Sequence, residues 1–131
     1  MQISWKTEKG NCVQTKNPQG LKRIIKAGKY SYQGVKAAFS GEAAFREEVI
    51  MCAILIPLAF WVDVTTIERL LMIISLLFVL VVELLNSAIE AVVDRVSTEL
   101  HPLSGRAKDM GSAAVLIAIG MALAVWLTAL F

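Results

Sequence analysis

The sequence predicts an all-α integral membrane protein, with three transmembrane helices preceded by an amphipathic helix on the membrane surface. Three observations predict it. The chain has 131 residues, 56% of them apolar, and a mean hydropathy of +0.63, above the apolar share usual for soluble domains. Its last twenty-one residues, Gly111 to Phe131, carry no charge, enough to cross a hydrocarbon core of about 30 Å. A third stretch, beginning near Thr66, continues without Gly or Pro as far as His101 and Pro102.

Residues 1–20 are polar and read as a flexible extension with no signal peptide, because no apolar stretch of the required length occurs there. Residues 21–131 form the single membrane domain. From about 21 to 39, Leu21, Ile24, Ile25, Val35 and Phe39 share one helical face, while Lys22, Lys26, Lys29 and Lys36 share another. That is the pattern of a helix lying in the membrane interface, although a soluble amphipathic helix has the same pattern. Ser40 and Gly41 then suggest a turn.

The first span is placed at about 43–62. Val49 to Val62 is apolar for fourteen residues, and the preceding residues extend it to bilayer length, with Trp61 as an interfacial aromatic. Pro57 is a candidate kink. Thr65 followed by Glu68 is a capping box that starts the second span, about 66–97. At 1.5 Å per residue its thirty or so residues reach about 45 Å, longer than the bilayer core, so its second half emerges or lines a polar interior. Pro102, Ser104 and Gly105 mark the next loop, and the third span follows at about 106–130. Ala114 and Ala118, four apart, offer a smooth strip for close helix packing.

Charge placement orients the chain. Eight of the thirteen Lys and Arg precede residue 37, the loop after the second span adds Arg95, Arg106 and Lys108, and Asp63 to Thr66 has none. The positive-inside rule therefore puts the amino terminus and the second loop in the cytoplasm. A net charge of +2 gives no reason to expect nucleic acid. Cys12 and Cys52 are too few for a disulfide framework or a zinc site. The phosphate-binding GxxxxGK[ST] loop, a kinase Gly-rich loop and HExxH are absent.

The chemistry is concentrated on the second span. At 100° per residue, Glu83, Asn86, Glu90 and Asp94 lie at about 0°, −60°, −20° and +20°, a single stripe. A carboxylate at the bilayer centre costs about 2.5–3.5 kcal/mol, so this row needs partners, water or a metal to offset it. A metal or phosphate site explains it, and a hydrogen-bond seam between subunits is the structural alternative. Glu42, Glu47 and Glu48 surround Arg46 at the start of the first span. Carboxylates from two helices, such as Glu42 and Glu90, suit Mg²⁺, though a solvated interfacial cluster fits the spacing equally. In SGRAKDMGS (Ser104 to Ser112), a basic helix start opposes the helix dipole unless a phosphate or an anionic headgroup is near.

These residues carry a resemblance. ELLNSAIEAVVDR (Glu83 to Arg95) and LSGRAKDMGSAAVLIA (Leu103 to Ala118), with LKRIIKAGKYSYQGVKAAF and EAAFREE upstream, resemble the prokaryotic diacylglycerol kinases, small membrane enzymes of Gram-negative bacteria. The likeness covers residues 21 to 131. It implies a homotrimer in the bacterial inner membrane, multi-pass with a cytoplasmic amino terminus and with active sites shared between subunits, transferring the ATP γ-phosphoryl group to diacylglycerol. It further implies Glu83 as general base and Glu42 and Glu90 as holders of Mg²⁺ and the ATP phosphates. Arg23, Tyr30, Glu99, His101, Lys108 and Asp109 match nucleotide-contacting positions. Ala27, Ser31, Phe45, Arg46, Glu48, Trp61, Asp63, Arg69, Ser112 and Trp126 match positions lining the lipid cleft. Asn86 and Asp94 remain supporting polar groups.

Gly28, Lys29, Tyr32, Phe39 and Glu47 depart from residues common in that family, which touches lipid contact and not the reaction. Two other functions stay open: an undecaprenol kinase would share the stripe, and a proton-coupled transporter would use Glu83 and Glu90 but leave the basic SGRAKD segment unexplained.

Overall fold

The structure is a computed structural model that describes residues 20–96 and 101–131. It contains four helices, α1 (Leu21–Gly41), α2 (Ala43–Trp61), α3 (Thr66–Val96) and α4 (Pro102–Leu130), and no strand among the described residues. The contacts divide the chain between Gly34 and Val35, within α1, and the two bodies are taken separately.

In the first body α1 is fully exposed along its length. Its turns carry the alternation of Lys22, Lys26 and Lys29 with Leu21, Ile24 and Ile25 that makes the helix amphipathic.

In the second body α1 continues to Gly41, past the expected turn at Ser40. Only Glu42 breaks the helical path, with φ −107° and ψ 120°. Arg46 reaches back from α2 and donates to the carbonyls of Phe39 and Ser40, both at 3.2 Å, supplying donors to a helix end that has none of its own. The helix α2 runs through Pro57 to Trp61. Arg69 closes its far end, donating to the carbonyls of Ala59 (2.8 Å), Val62 (3.3 Å) and Val64 (3.4 Å).

The capping box forms as expected. Thr65 N–H donates to Glu68 Oε2 at 2.8 Å, and Glu68 N–H donates back to Thr65 Oγ1 at 3.3 Å, satisfying two orphan donors and starting α3 at Thr66. The next start differs from expectation. Pro102, Ser104 and Gly105 lie inside α4, and His101 is its N-cap, its Nδ1 accepting from Leu103 N–H at 3.2 Å. Proline at the first helical position lacks only an N–H that would have had no partner, and its fixed φ suits the helix.

The core is a seam of small residues. Val79 on α3 packs with Ala118 and Ala122 on α4, with Val82 beside them. Ala114 is exposed, so the strip that lets the two helices approach continues towards Ala122 and not back to Ala114. Between α2 and α3, Ala59 and Met72 have no exposed surface, and the Cys52 thiol donates to the Leu76 carbonyl at 3.9 Å. Most large apolar side chains remain exposed. Both α3 and α4 are long and apolar enough to cross a membrane, whereas α2 carries Arg46, Glu47 and Glu48 in its first turns.

Candidate active site

The polar stripe of α3 is graded by burial. Glu83 is 5% exposed and Asn86 8%, Glu90 is half-buried, and Asp94 is exposed. The row therefore runs from the packed interior towards the α3–α4 connection. Its four members share one face because their spacing matches the helical repeat, and α4 packs along that face in antiparallel order. Lys108 Nζ lies 2.6 Å from Asp94 Oδ1. One turn further along α4, Gly111 packs against the Asn86 side chain, where a Cβ would stand 3.2 Å from Asn86 Cγ and overlap its Oδ1.

Asn86 is thereby held between two neighbours. Its Nδ2 donates to Glu90 Oε1 at 3.1 Å, which orients that carboxylate, while its Oδ1 is buried with no partner. Glu48, on α2, also has a buried oxygen, Oε2, without a partner. Glu83 lies within electrostatic reach of Glu48, Glu90 and Glu42. Among the described residues the only ion pair is Lys108 with Asp94, so this group of carboxylates has no side-chain cation paired to it. Buried like charges of this kind are costly unless a cation or protons join them.

Below the carboxylates lies a cavity of about 670 Å³, within the usual size range of small-molecule sites. Glu48 and Glu83 line it, as do Cys52, Val79, Val115 and Trp126. The Trp126 indole N–H donates to the Met72 carbonyl at 3.2 Å, which ties α4 to α3 at the other end. Met72 precedes Glu83 by eleven residues, about 16 Å along the helix. An acidic group at the head of an apolar channel can bind an amphiphile, with its polar end at the carboxylate and its apolar part beneath.

The remaining expected site residues are placed as follows. Phe45 is buried and Trp126 half-buried, and Trp126 joins Glu48 on the cavity wall. Trp61 and Asp63 are exposed at the α2–α3 turn, at least seventeen residues before Glu83 and so about 25 Å from it along α3. Arg69 and Arg46 are engaged with helix-end carbonyls. Asp109 and Ser112 are exposed, and His101 caps α4. Arg23, Ala27, Tyr30 and Ser31 lie in the first body, where Ser31 Oγ donates to the Ala27 carbonyl at 3.0 Å. Glu99 lies outside the described residues.

Sequence reasoning missed Gly111, Cys52, Val79 and Val115. Only Gly111 left a signal, as a glycine in a helix beside a polar stripe, a position that often marks close approach. The others are ordinary apolar residues whose place on a cavity wall depends on helix packing.

Residues 29–130 match the family model for prokaryotic diacylglycerol kinase. The chain is 57% identical over 115 residues to the diacylglycerol kinase of Pseudomonas aeruginosa, covering 88% of this chain and 94% of that one. It is 56% identical over 110 residues to the diacylglycerol kinase of Escherichia coli K12, covering 84% and 90%. With the diacylglycerol kinase of Helicobacter pylori 26695 the identity is 44% over 108 residues, covering 82% and 84%. The chain belongs to the prokaryotic diacylglycerol kinase family.

Proposed function

We propose that this chain phosphorylates diacylglycerol with ATP at the cytoplasmic face of the bacterial inner membrane, yielding phosphatidate. The observation that carries the reading is Glu83, a buried carboxylate at the head of an apolar cavity, with Asn86, Glu90, Asp94 and Lys108 leading away from it to the helix ends. A lipid alcohol meets the base from the apolar side. The nucleotide meets the polar row from the other.

Glu83 acts as general base. The lipid hydroxyl oxygen attacks the γ-phosphorus, its proton passes to Glu83, and the bond to the bridging oxygen breaks to release ADP; Glu83 then returns the proton to solvent. Lys108 meets the phosphates as a cation. The apolar wall formed by Val79, Val115 and Trp126 holds an acyl tail and keeps water from the attacking oxygen.

Glu42 and Glu90 would hold Mg²⁺. The donor set fits: the carboxylates near Glu83 are hard oxygen ligands lacking a paired side-chain cation among the described residues. Mg²⁺ is bound by one or two carboxylates completed by phosphate oxygens and water. When bound, it neutralises charge on the transferring phosphoryl group.

Arg23, Tyr30, Glu99, His101 and Asp109 contact the nucleotide, while Ala27, Ser31, Phe45, Arg46, Glu48, Trp61, Asp63, Arg69, Ser112 and Trp126 border the lipid. The assembly is a homotrimer in which α2, α3 and α4 each cross the membrane and α1 lies in the interface, its apolar face in lipid. Exposed apolar side chains along α3 and α4 supply the surfaces for lipid and for neighbouring subunits. The amino terminus is cytoplasmic.

The test offers purified protein in lipid vesicles Mg·ATP with diacylglycerol and, in parallel, undecaprenol. Phosphatidate is the expected product. Phosphorylated polyprenol alone would overturn the substrate, and no ATP consumption with either would overturn the kinase reading.

A further inference from the structure

Lys108 has two acidic neighbours on α3. Asp94 is in direct contact at 2.6 Å, and Glu90, one turn earlier, lies within electrostatic reach. Glu90 is also held by the Asn86 amide. Four residues separate the two acids, about 6 Å along the helix axis. Lysine is a flexible point charge, so the same ammonium can pair with either one.

We propose that Asp94 is a positioning residue that draws the Lys108 ammonium away from Glu90, leaving that carboxylate free for the magnesium of Mg·ATP and setting the lysine one turn further out for the phosphates. This rests on the kinase reading above. Without Asp94, Lys108 pairs with Glu90 itself. The lysine and the metal then compete for one carboxylate, and nucleotide binding weakens while the lipid end of the site, at Glu83 and the cavity, is untouched. A simple tie between α3 and α4 predicts the opposite split, a change in stability with no selectivity between substrates.

The pair is partly exposed, with side-chain exposures of 38% for Lys108 and 65% for Asp94. The effect expected of Asp94→Asn is therefore a roughly fivefold rise in the KM for Mg·ATP, the scale of a partly exposed ion pair. The KM for diacylglycerol stays constant. Independently of turnover, titration of the same purified protein with Mg²⁺ and a nonhydrolysable ATP analogue weakens by a similar factor, and a higher Mg²⁺ concentration recovers part of the loss. Asp94→Glu, which keeps the charge, restores most of the affinity.

Unchanged analogue affinity in Asp94→Asn, or a fall in thermal midpoint accompanied by equal changes in both KM values, overturns the proposal. Failure of the kinase reading looks different: the wild-type protein then phosphorylates no lipid and binds no analogue. If Lys108→Met loses analogue affinity while Asp94→Asn keeps it, the kinase reading stands and the positioning role falls.

Discussion

Gly111→Ala adds one methyl group where α4 meets Asn86. Built on the existing backbone, that Cβ overlaps Asn86 Oδ1 and stands 3.2 Å from Cγ and 3.8 Å from Cβ of the same residue, so the asparagine must rotate or the helices must part. Forcing an extra carbon into a packed site costs about 1–3 kcal/mol. Replacing glycine with alanine inside a helix returns about 1 kcal/mol. The net change in stability is thus small, roughly 0–2 kcal/mol of destabilisation from those two opposing terms.

The effect on function is larger, because the cheapest relief is rotation of Asn86 away from Glu90. That gives up the 3.1 Å bond orienting the Glu90 carboxylate. A hydrogen bond to a charged group contributes about 1.5–3 kcal/mol, so turnover should fall about 10- to 100-fold. Lipid kinase turnover and thermal unfolding in detergent micelles measure the two quantities side by side. A Gly111→Ala protein with full turnover and a stability gain of the whole helix-propensity term would show that Asn86 is not wedged against Gly111. Adding Asn86→Ala should relieve the stability cost, which separates this clash from a general loosening of α3 against α4.

Other substitutions probe other parts of the molecule. Glu83→Gln keeps the shape but removes the proton acceptor, and a loss of about 10²–10⁴ in turnover is expected with assembly intact on size-exclusion chromatography; wild-type turnover would remove Glu83 from the base role. Val115→Phe fills the cavity beneath Glu83 and should raise the KM for diacylglycerol but not for Mg·ATP, so equal effects on both would argue against an acyl tail there. Arg69→Met removes the guanidinium donor to the carbonyls of Ala59 and Val64, while that of Val62 keeps the Val64 N–H, and should lower stability by about 1–3 kcal/mol in a denaturant titration; an unmoved midpoint would show that solvent caps α2 equally well. Trp126→Phe removes the donor to Met72 and should cost about 1 kcal/mol in the same assay.

The elements were legible in the sequence because each rests on local chemistry. The start of α3 at Thr66 follows from two side chains three residues apart, and the stripe of Glu83, Asn86, Glu90 and Asp94 follows from helical spacing alone. Even the start of α4 has its signal in His101–Pro102: proline suggests a loop, yet it is equally at home in a first helical turn. Family membership was legible from the same motifs. The site was legible in part: its polar members are rare inside a membrane and so conspicuous.

Tertiary structure decided the pairings. No spacing rule says that Lys108 meets Asp94 and not Glu90, that Gly111 is the residue against which Asn86 rests, or that Arg69 serves α2 from the far side of a turn. Each joins groups on different segments, and their meeting depends on how the helices cross; for α3 and α4 the small-residue seam at Val79, Ala118 and Ala122 sets the register. The cavity is less local still, since Cys52, Val79 and Val115 become its wall only once three helices pack. Helix periodicity is a property of one segment and is written in the sequence, whereas the space left between segments is a property of how they pack.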